Sequence, residues 1–348
     1  MSNSFFSLFF GASLNSNINE NVSRMAFDES KDPRYHGFSD FYNKRIKPKI
    51  FELELARIEC LRKFIVRSRI SVMLLVLFFI FVAVLFLGGA INRGKDYLEI
   101  LKVLGIVLIG IVLWLDSASS FYRQEMKNKI FGEIFKFFAD VVYTKEGSVS
   151  LEGCEKFLIV PKYDICKTQD MILGQYQGTN FCFQELELLE KHGTKTHTKF
   201  KGVQFIFQFN KKFSGETIVR KNNGQMANII RGGHYDLEKV RLEDPEFEKM
   251  FEVHSTDQIE ARYLLSVDFM EKLKSLGEFF DSEKVEADFF ENKLLIMIEN
   301  TEDLFETKSS VLTEVNLVKE CEMVIQQMYL IFGVVEVLQI NKKRSTTS

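Results

Sequence analysis

Residues 70–91 read ISVMLLVLFFIFVAVLFLGGAI, 22 consecutive positions without a charged side chain. A helix rises about 1.5 Å per residue, so such a run reaches across the roughly 30 Å of a bilayer's hydrocarbon core. A second apolar stretch, residues 98–121, follows after a few polar positions. Its uninterrupted core is short, residues 103–115, with Glu99 and Lys102 before it and Asp116 after it. Lys102 has the length to snorkel to an interface, and Trp114 suits a headgroup-level anchor. The two stretches predict a transmembrane hairpin, 70–91 and 98–121.

Basic residues give the hairpin a direction. Lys44, Arg45, Lys47, Lys49, Arg57, Arg62, Lys63, Arg67 and Arg69 precede the first stretch. Arg123, Lys127, Lys129 and Lys136 follow the second, while the connection holds Arg93 and Lys95. The positive-inside rule then places both termini in the cytoplasm and the short loop outside. Five scattered cysteines without a C-x-x-C pair fit a reducing compartment and supply neither a disulfide framework nor a zinc site. The net charge of −3 favours no nucleic-acid partner.

Outward from the hairpin the chain divides into five stretches. Residues 1–37 predict a flexible N-terminus without a signal-peptide pattern. Residues 38–69 predict an amphipathic juxtamembrane helix, with Ile50, Leu53, Ile58, Leu61 and Ile65 on one stripe. After the hairpin (70–121), residues 122–146 predict an amphipathic stalk helix striped by Tyr122, Met126, Ile130, Ile134, Phe138 and Val141. The two stripes can bury each other as an antiparallel stalk, dock on a soluble domain, or self-associate into a homo-oligomer.

Residues 147–348 predict a cytosolic α+β domain with antiparallel strand hairpins and a long C-terminal helix. Residues 156–160 read as a strand. Val203, Phe205, Phe207 and Phe209 alternate with polar positions, and 217–220 reads as the return strand after a turn at 213–215. A second hairpin runs through 285–289 and 294–298 around Glu291-Asn292. Residues 258–265 and 267–280 read as helices. Residues 315–340 form the closing helix, its stripe Val318, Cys321, Ile325, Met328 and Phe332 facing the sheet. Hairpins and helices without regular βαβ alternation favour α+β.

The search for chemistry finds no phosphate-binding glycine loop, no G-x-S-x-G elbow and no H-E-x-x-H. No cofactor and no metal is expected. His192 and His197 fall in a Lys- and Thr-rich stretch read as a solvated loop. The densest polar group is His254, Asp257, Glu260 and Arg262. Asp257-x-x-Glu260 has capping-box spacing, with Glu260 reaching back to the cap amide. An acid/base site from His254 with Asp257 or Glu260 is the alternative. Charge is divided: residues 191–221 hold eight Lys or Arg against one acid, and residues 236–260 hold nine acids against three bases. The basic part suits anionic inner-leaflet lipid and the acidic part a basic partner.

Four words stand in order: GVQFIFQFNK (202–211), FSGETIV (213–219), VRLEDPEF (240–247) and FEVHSTDQIEARYLL (251–265). With FSDFY at 38–42, they resemble an uncharacterised bacterial membrane-protein family, domain of unknown function 3137. The resemblance implies two spans near the N-terminus. It brings no activity, and His254 stands where that family's pattern has an aromatic.

The resulting expectation is an inner-membrane, two-span chain whose cytosol-facing module binds or regulates an unidentified protein partner. Asn210, Lys211, Asp257, Glu260 and Arg262 form its candidate polar surface. The alternatives are a membrane-anchored hydrolase using the His254, Asp257 and Glu260 region, and a channel or transporter subunit, for which the two stretches offer little polar lining.

Overall fold

The structure is a computed structural model. It describes residues 25–87, 95–138, 140–145, 154–222, 237–300, 311–312 and 315–345. The expectations for the N-terminal 24 residues and for the connection at 88–94 lie outside these. Two compact units emerge: Met1–Glu133 with Glu306–Cys321, and Ile134–Phe305 with Glu322–Ser348.

In the first unit, Phe38–Phe41 is helical and Tyr42–Ile46 takes a π turn. The helix then runs on as α1, Lys47–Leu87, through the juxtamembrane stretch into the apolar run. The second long helix is α2, Lys95–Ile134. Lys49 pairs with Glu133 at 3.2 Å, and Arg67 Nη1 donates to the Trp114 carbonyl at 2.9 Å. Numbers rising along α1 meet numbers falling along α2, so the helices run antiparallel here. Both stripes are buried: Ile50, Leu53, Ile58, Leu61 and Ile65 on α1, and Tyr122, Met126, Ile130 and Ile134 on α2. Beyond them the surface changes. Val72 through Leu87 on α1 and Leu101 through Leu113 on α2 leave most of their large apolar side chains exposed.

A buried ion pair ties a distant segment to α1. Arg57 Nε meets Glu54 Oε2 at 2.9 Å, and both residues are 5% exposed. Arg57 Nη1 donates to the Val311 carbonyl at 2.9 Å, and Glu54 Oε2 accepts from the Val315 amide at 3.2 Å.

The second unit is α+β around one antiparallel sheet. Its strands are β1 (Val141–Thr144), β2 (Ile165–Tyr176), β3 (Thr179–His192), β4 (Lys195–Gln208), β5 (Thr217–Lys221), β6 (Glu238–Lys239), β7 (Phe251–Ser255), β8 (Val285–Phe290) and β9 (Lys293–Glu299). They lie in the order β1-β2-β3-β4-β9-β8-β5-β7-β6. The helices are α3 (Pro245–Met250), α4 (Gln258–Leu264), α5 (Val267–Phe279) and α6 (Val318–Ser345), of which the second unit holds the part of α6 from Glu322.

Period-2 alternation gives the sheet two faces. Phe181, Phe183, Phe205, Phe207, Phe289 and Ile296 share one, where Phe205 meets Phe280 at 5.8 Å and Phe269 meets Phe289 at 5.4 Å. Helices α5 and α6 cover it, with Leu276 and Ile331 beside Phe183 and Phe205. The other face carries Leu186, Leu188, Ile218, Leu295 and Met297 under Cys154, Phe157 and Ile159.

Among the elements that differ from the sequence reading are these three. Residues 156–160 form turns, not a strand: Phe157 and Ile159 point down as in a strand, but the Leu158 amide goes to Asp288 instead of a ladder. Strand β5 does not return along β4, because β9 occupies that edge and β5 lies between β8 and β7. The stalk helix expected to reach residue 146 ends at Ile134; Phe135–Phe137 tightens to 3-10 and β1 begins at Val141. The second hairpin forms as expected, β8 and β9 turning at Glu291, whose φ is 53°.

Among the described residues, three helices are long and apolar enough to cross a membrane: Phe38–Leu87, Glu99–Ser117 and Val318–Gln339. Sequence reading counts two. The third is 67% buried within the protein, against 6% and 0% for the others, so its apolar face is already covered.

Candidate functional site

The candidate polar surface is built where the turn at 213–217 meets the strand-to-helix junction at 254–260. Asp257 caps α4, its Oδ1 accepting from the Ile259 and Glu260 amides at 3.0 Å each. That half of the capping box forms. The other half does not: Glu260 Oε2 accepts from the Ser214 amide at 2.6 Å and the Gly215 amide at 2.9 Å. The cap amide Asp257 N is taken by Ser255 Oγ at 3.0 Å. Glu260 therefore joins two distant parts of the chain and leaves its own helix end to Ser255.

The same junction carries three further bonds. The Glu216 amide donates to Thr256 Oγ1 at 2.9 Å, the Thr256 amide to the Glu216 carbonyl at 3.1 Å, and Thr217 Oγ1 lies 2.9 Å from Ser255 Oγ. The approach is tight enough to require glycine. A Cβ on Gly215 would lie 2.5 Å from Thr256 Oγ1 and 2.9 Å from the Asp257 Cβ. Phe213 closes the turn from below, edge-on to Phe209 and Phe289.

Asn210 and Lys211 open this turn and are exposed, between a Phe209 amide bonded to the Asn292 carbonyl and a Phe213 amide bonded to the Glu291 carbonyl. Arg262 is exposed on α4 and makes no ion pair among the described residues. The structure thus gathers Asn210, Lys211, Asp257 and Glu260 around one turn. Asp257 and Glu260 are committed to backbone amides, while Lys211 and Arg262 stay available to solvent.

His254 lies on β7 opposite Ile218 and is buried. Its Nδ1 has no hydrogen-bond partner among the described residues, and burial lowers its basicity. On the same sheet face sits a pair the sequence reading missed. Asp288, on β8 opposite Ile218, is fully buried; its Oδ2 accepts from the Leu158 amide at 2.8 Å. Glu216 is 5% exposed, and neither of its carboxylate oxygens accepts a hydrogen bond among the described residues. Burial pushes the Glu216 carboxyl up to about 7. Burial first and then Glu216 hold Asp288 well above the ordinary carboxylate range. Alongside, Arg220 Nε pairs with Glu286 Oε1 at 2.9 Å. The signal for Asp288 was period 2: in the strand VEADFF, Glu286 and Asp288 fall on one face, toward apolar neighbours.

A cleft of about 270 Å³ lies elsewhere on the sheet, lined by Lys167, Gln169, Glu185, Glu187, Lys201 and Asn300 among others. Its polar groups largely satisfy one another: Lys167 pairs with Glu187 at 2.9 Å, and Gln169 donates to Glu185 at 3.0 Å. Among the described residues, no cluster of three or more His, Cys, Asp or Glu side chains is placed to hold a metal. The remaining word, at 240–247, is also architectural. Asp244 caps α3 through the Glu246 and Phe247 amides, Pro245 opens the helix, and Lys274 reaches Asp244 at 3.2 Å.

No curated protein matches the chain. A solved structure, the crystal structure of the mycobacterial trehalose monomycolate transport factor A, TtfA, is similar at a TM-score of 0.32 and 11% identity, over 57% of this chain and 88% of that one. A likeness at that level carries no argument about fold or activity. The family match begins inside β4 and ends inside α6, so the exposed apolar lengths of α1 and α2 lie outside it. Residues 198–340 match the model of the family described as "Protein of unknown function (DUF3137)", the family that the four sequence words resemble.

Proposed function

We propose that this chain is a membrane-anchored binding or regulatory module. Helices α1 and α2 cross the inner membrane of a bacterium as a hairpin, and the α+β unit presents a polar surface to a protein partner in the cytosol. The observation that carries the anchoring is the bare apolar surface of the two helices. Val72, Leu74, Leu77, Ile80, Val84 and Leu87 are 48–85% exposed, as are Ile106, Ile109 and Leu113 at 63–70%. A patch of that extent is not stable against water and marks a lipid or protein contact. The buried third helix needs no bilayer, which leaves two spans and returns the chain to its starting side.

Support for binding over hydrolysis comes from the commitments at the polar turn. Asp257 and Glu260 accept backbone amides, and His254 is buried on the sheet. Exposed Lys211 and Arg262 remain as recognition groups.

Fractionation tests the anchor. Membranes from cells expressing the chain, washed with alkaline carbonate, should retain it in the pellet. Release into the wash would overturn the anchored reading. For orientation, proteolysis of intact inverted vesicles should digest the α+β unit, and its protection there would reverse the topology.

A further inference from the structure

The hairpin of β3 and β4 is longer than the sheet it belongs to. The β2 partner ends at Ile165 opposite Leu189, and the β9 partner ends at Glu299 opposite Gly202. Past those points β3 and β4 pair only with each other among the described strands, out to the turn at Gly193, whose φ is 63°. The stretch read from sequence as a solvated loop is therefore a β-ribbon, and each residue from 191 to 199 is exposed.

Its chemistry is one-sided. Residues 191–201, KHGTKTHTKFK, hold four lysines, two histidines and no acid. The acid within the ribbon, Glu190, pairs with Lys199 at 2.6 Å and hydrogen-bonds His192 Nε2 at 2.8 Å. The ammonium groups of Lys191, Lys195 and Lys201 form no ion pair within 4 Å among the described residues, although the Lys191 amide donates to Asp164 Oδ2 at 2.6 Å and Lys201 lies opposite Glu187. Thr196 and Thr198 alternate with Lys195, His197 and Lys199 along β4.

The details choose between anionic partners. Phe200 is buried, and the His192 and His197 rings pack edge-on to each other at 5.3 Å, so the ribbon offers no flat platform for a nucleobase. It has no arginine fork and no exposed aromatic anchor of the kind that fixes a protein hot spot. Flexible lysine stems around a paired acid fit a diffuse, laterally mobile array of negative charge.

We propose that the ribbon at 190–201 docks on an anionic lipid surface, its lysines at the level of the phosphate headgroups. This deepens the anchored-module reading, on which it rests only in requiring that a bilayer be present. It adds a second, reversible and purely electrostatic contact with lipid, made by the α+β unit.

The test uses the full chain held in phosphatidylcholine nanodiscs. Vesicles of phosphatidylcholine alone, or of phosphatidylcholine with phosphatidylglycerol, are added and floated. The expected result is co-flotation with the anionic vesicles only, weakening as salt is raised. A lysine near an anionic leaflet contributes about 1 kcal/mol, or roughly fivefold in binding, so the Lys191→Glu, Lys195→Glu double variant should bind at least about 25-fold more weakly. Both side chains are in solvent, and the Lys191→Arg, Lys195→Arg variant should retain binding. Equal binding to both vesicle types, unchanged binding in the Glu variant, or displacement of the vesicles by single-stranded RNA would overturn the proposal. A chain that fails to enter the discs would overturn the anchored reading instead. The soluble chain then meets the same vesicles with the same criteria.

Discussion

At the scale of the residue, Glu216 has the most direct consequence. Its ordinary carboxyl titrates near 4.5, and burial raises it to about 7 in the folded chain. Between those values the unfolded chain has lost the proton that the folded chain keeps. Stability therefore falls as pH rises through that window, by about 1.4 kcal/mol per unit at most. Glu216→Gln should remove Glu216's share of this slope and leave that of Asp288, so that melting followed by circular dichroism shows the wild type losing ground to the variant from pH 4.5 to 7. Parallel profiles would contradict the buried-acid account. Gly215 makes a steric prediction beside it. Gly215→Ala puts a methyl 2.5 Å from Thr256 Oγ1, a clash that should cost roughly 1–3 kcal/mol. Removing the hydroxyl with Thr256→Ala should recover only part of that loss, because the Asp257 Cβ remains 2.9 Å away.

At the scale of the element, local signals were readable where the chain supplies its own partner within a few residues. Asp257 caps α4 as its capping-box position suggests, while the Asp244 cap of α3 was not singled out from sequence. The β8–β9 hairpin closes on a tight turn for the same reason. Glu260 was legible only as a helix-start acid, since its true partners, the Ser214 and Gly215 amides, are 46 and 45 positions away. Glu260→Ala should strand both amides at a cost of about 1–3 kcal/mol. Hydrogen exchange would show it as faster exchange at residues 214 and 215, with the α4 amides little changed. Faster exchange confined to α4 would instead restore the capping-box reading. The Glu54–Arg57 pair is a sharper case. Arg57→Ala leaves a buried carboxylate whose remaining partner is the Val315 amide, and should destabilise the first unit by roughly 3–5 kcal/mol. Loss of protection at Val315, whose amide donates to Glu54, would report it, and an unchanged exchange rate there would refute it.

At the scale of the whole molecule, the apolar lengths of α1 and α2 lie outside residues 198–340, which match the family model. On the proposed anchoring, Val76→Lys with Phe79→Lys puts charge near the middle of the apolar length of α1, at about 2.5–3.5 kcal/mol each on insertion scales. That variant should leave the carbonate-resistant pellet, while substitutions on the ribbon should not move it. Retention of the lysine variant in the pellet would mean that something other than this span holds the chain to the membrane.

Sequence by itself determined the long apolar helices, the strands at 203–209, 217–220 and 285–298, the Asp257 cap and the α+β class. Each depends on periodicity or on partners a few residues away. The tertiary structure decided that β4 pairs with β9, that β5 lies between β8 and β7, and that residues 156–160 are turns over the sheet. It also made a buried acid pair of Glu216 and Asp288, and a protruding ribbon of residues 190–201. Strand partners and burial are set by segments tens of residues apart, competing for the same edges and faces. A local pattern names which residues can fill those places, but only the packed chain selects which do.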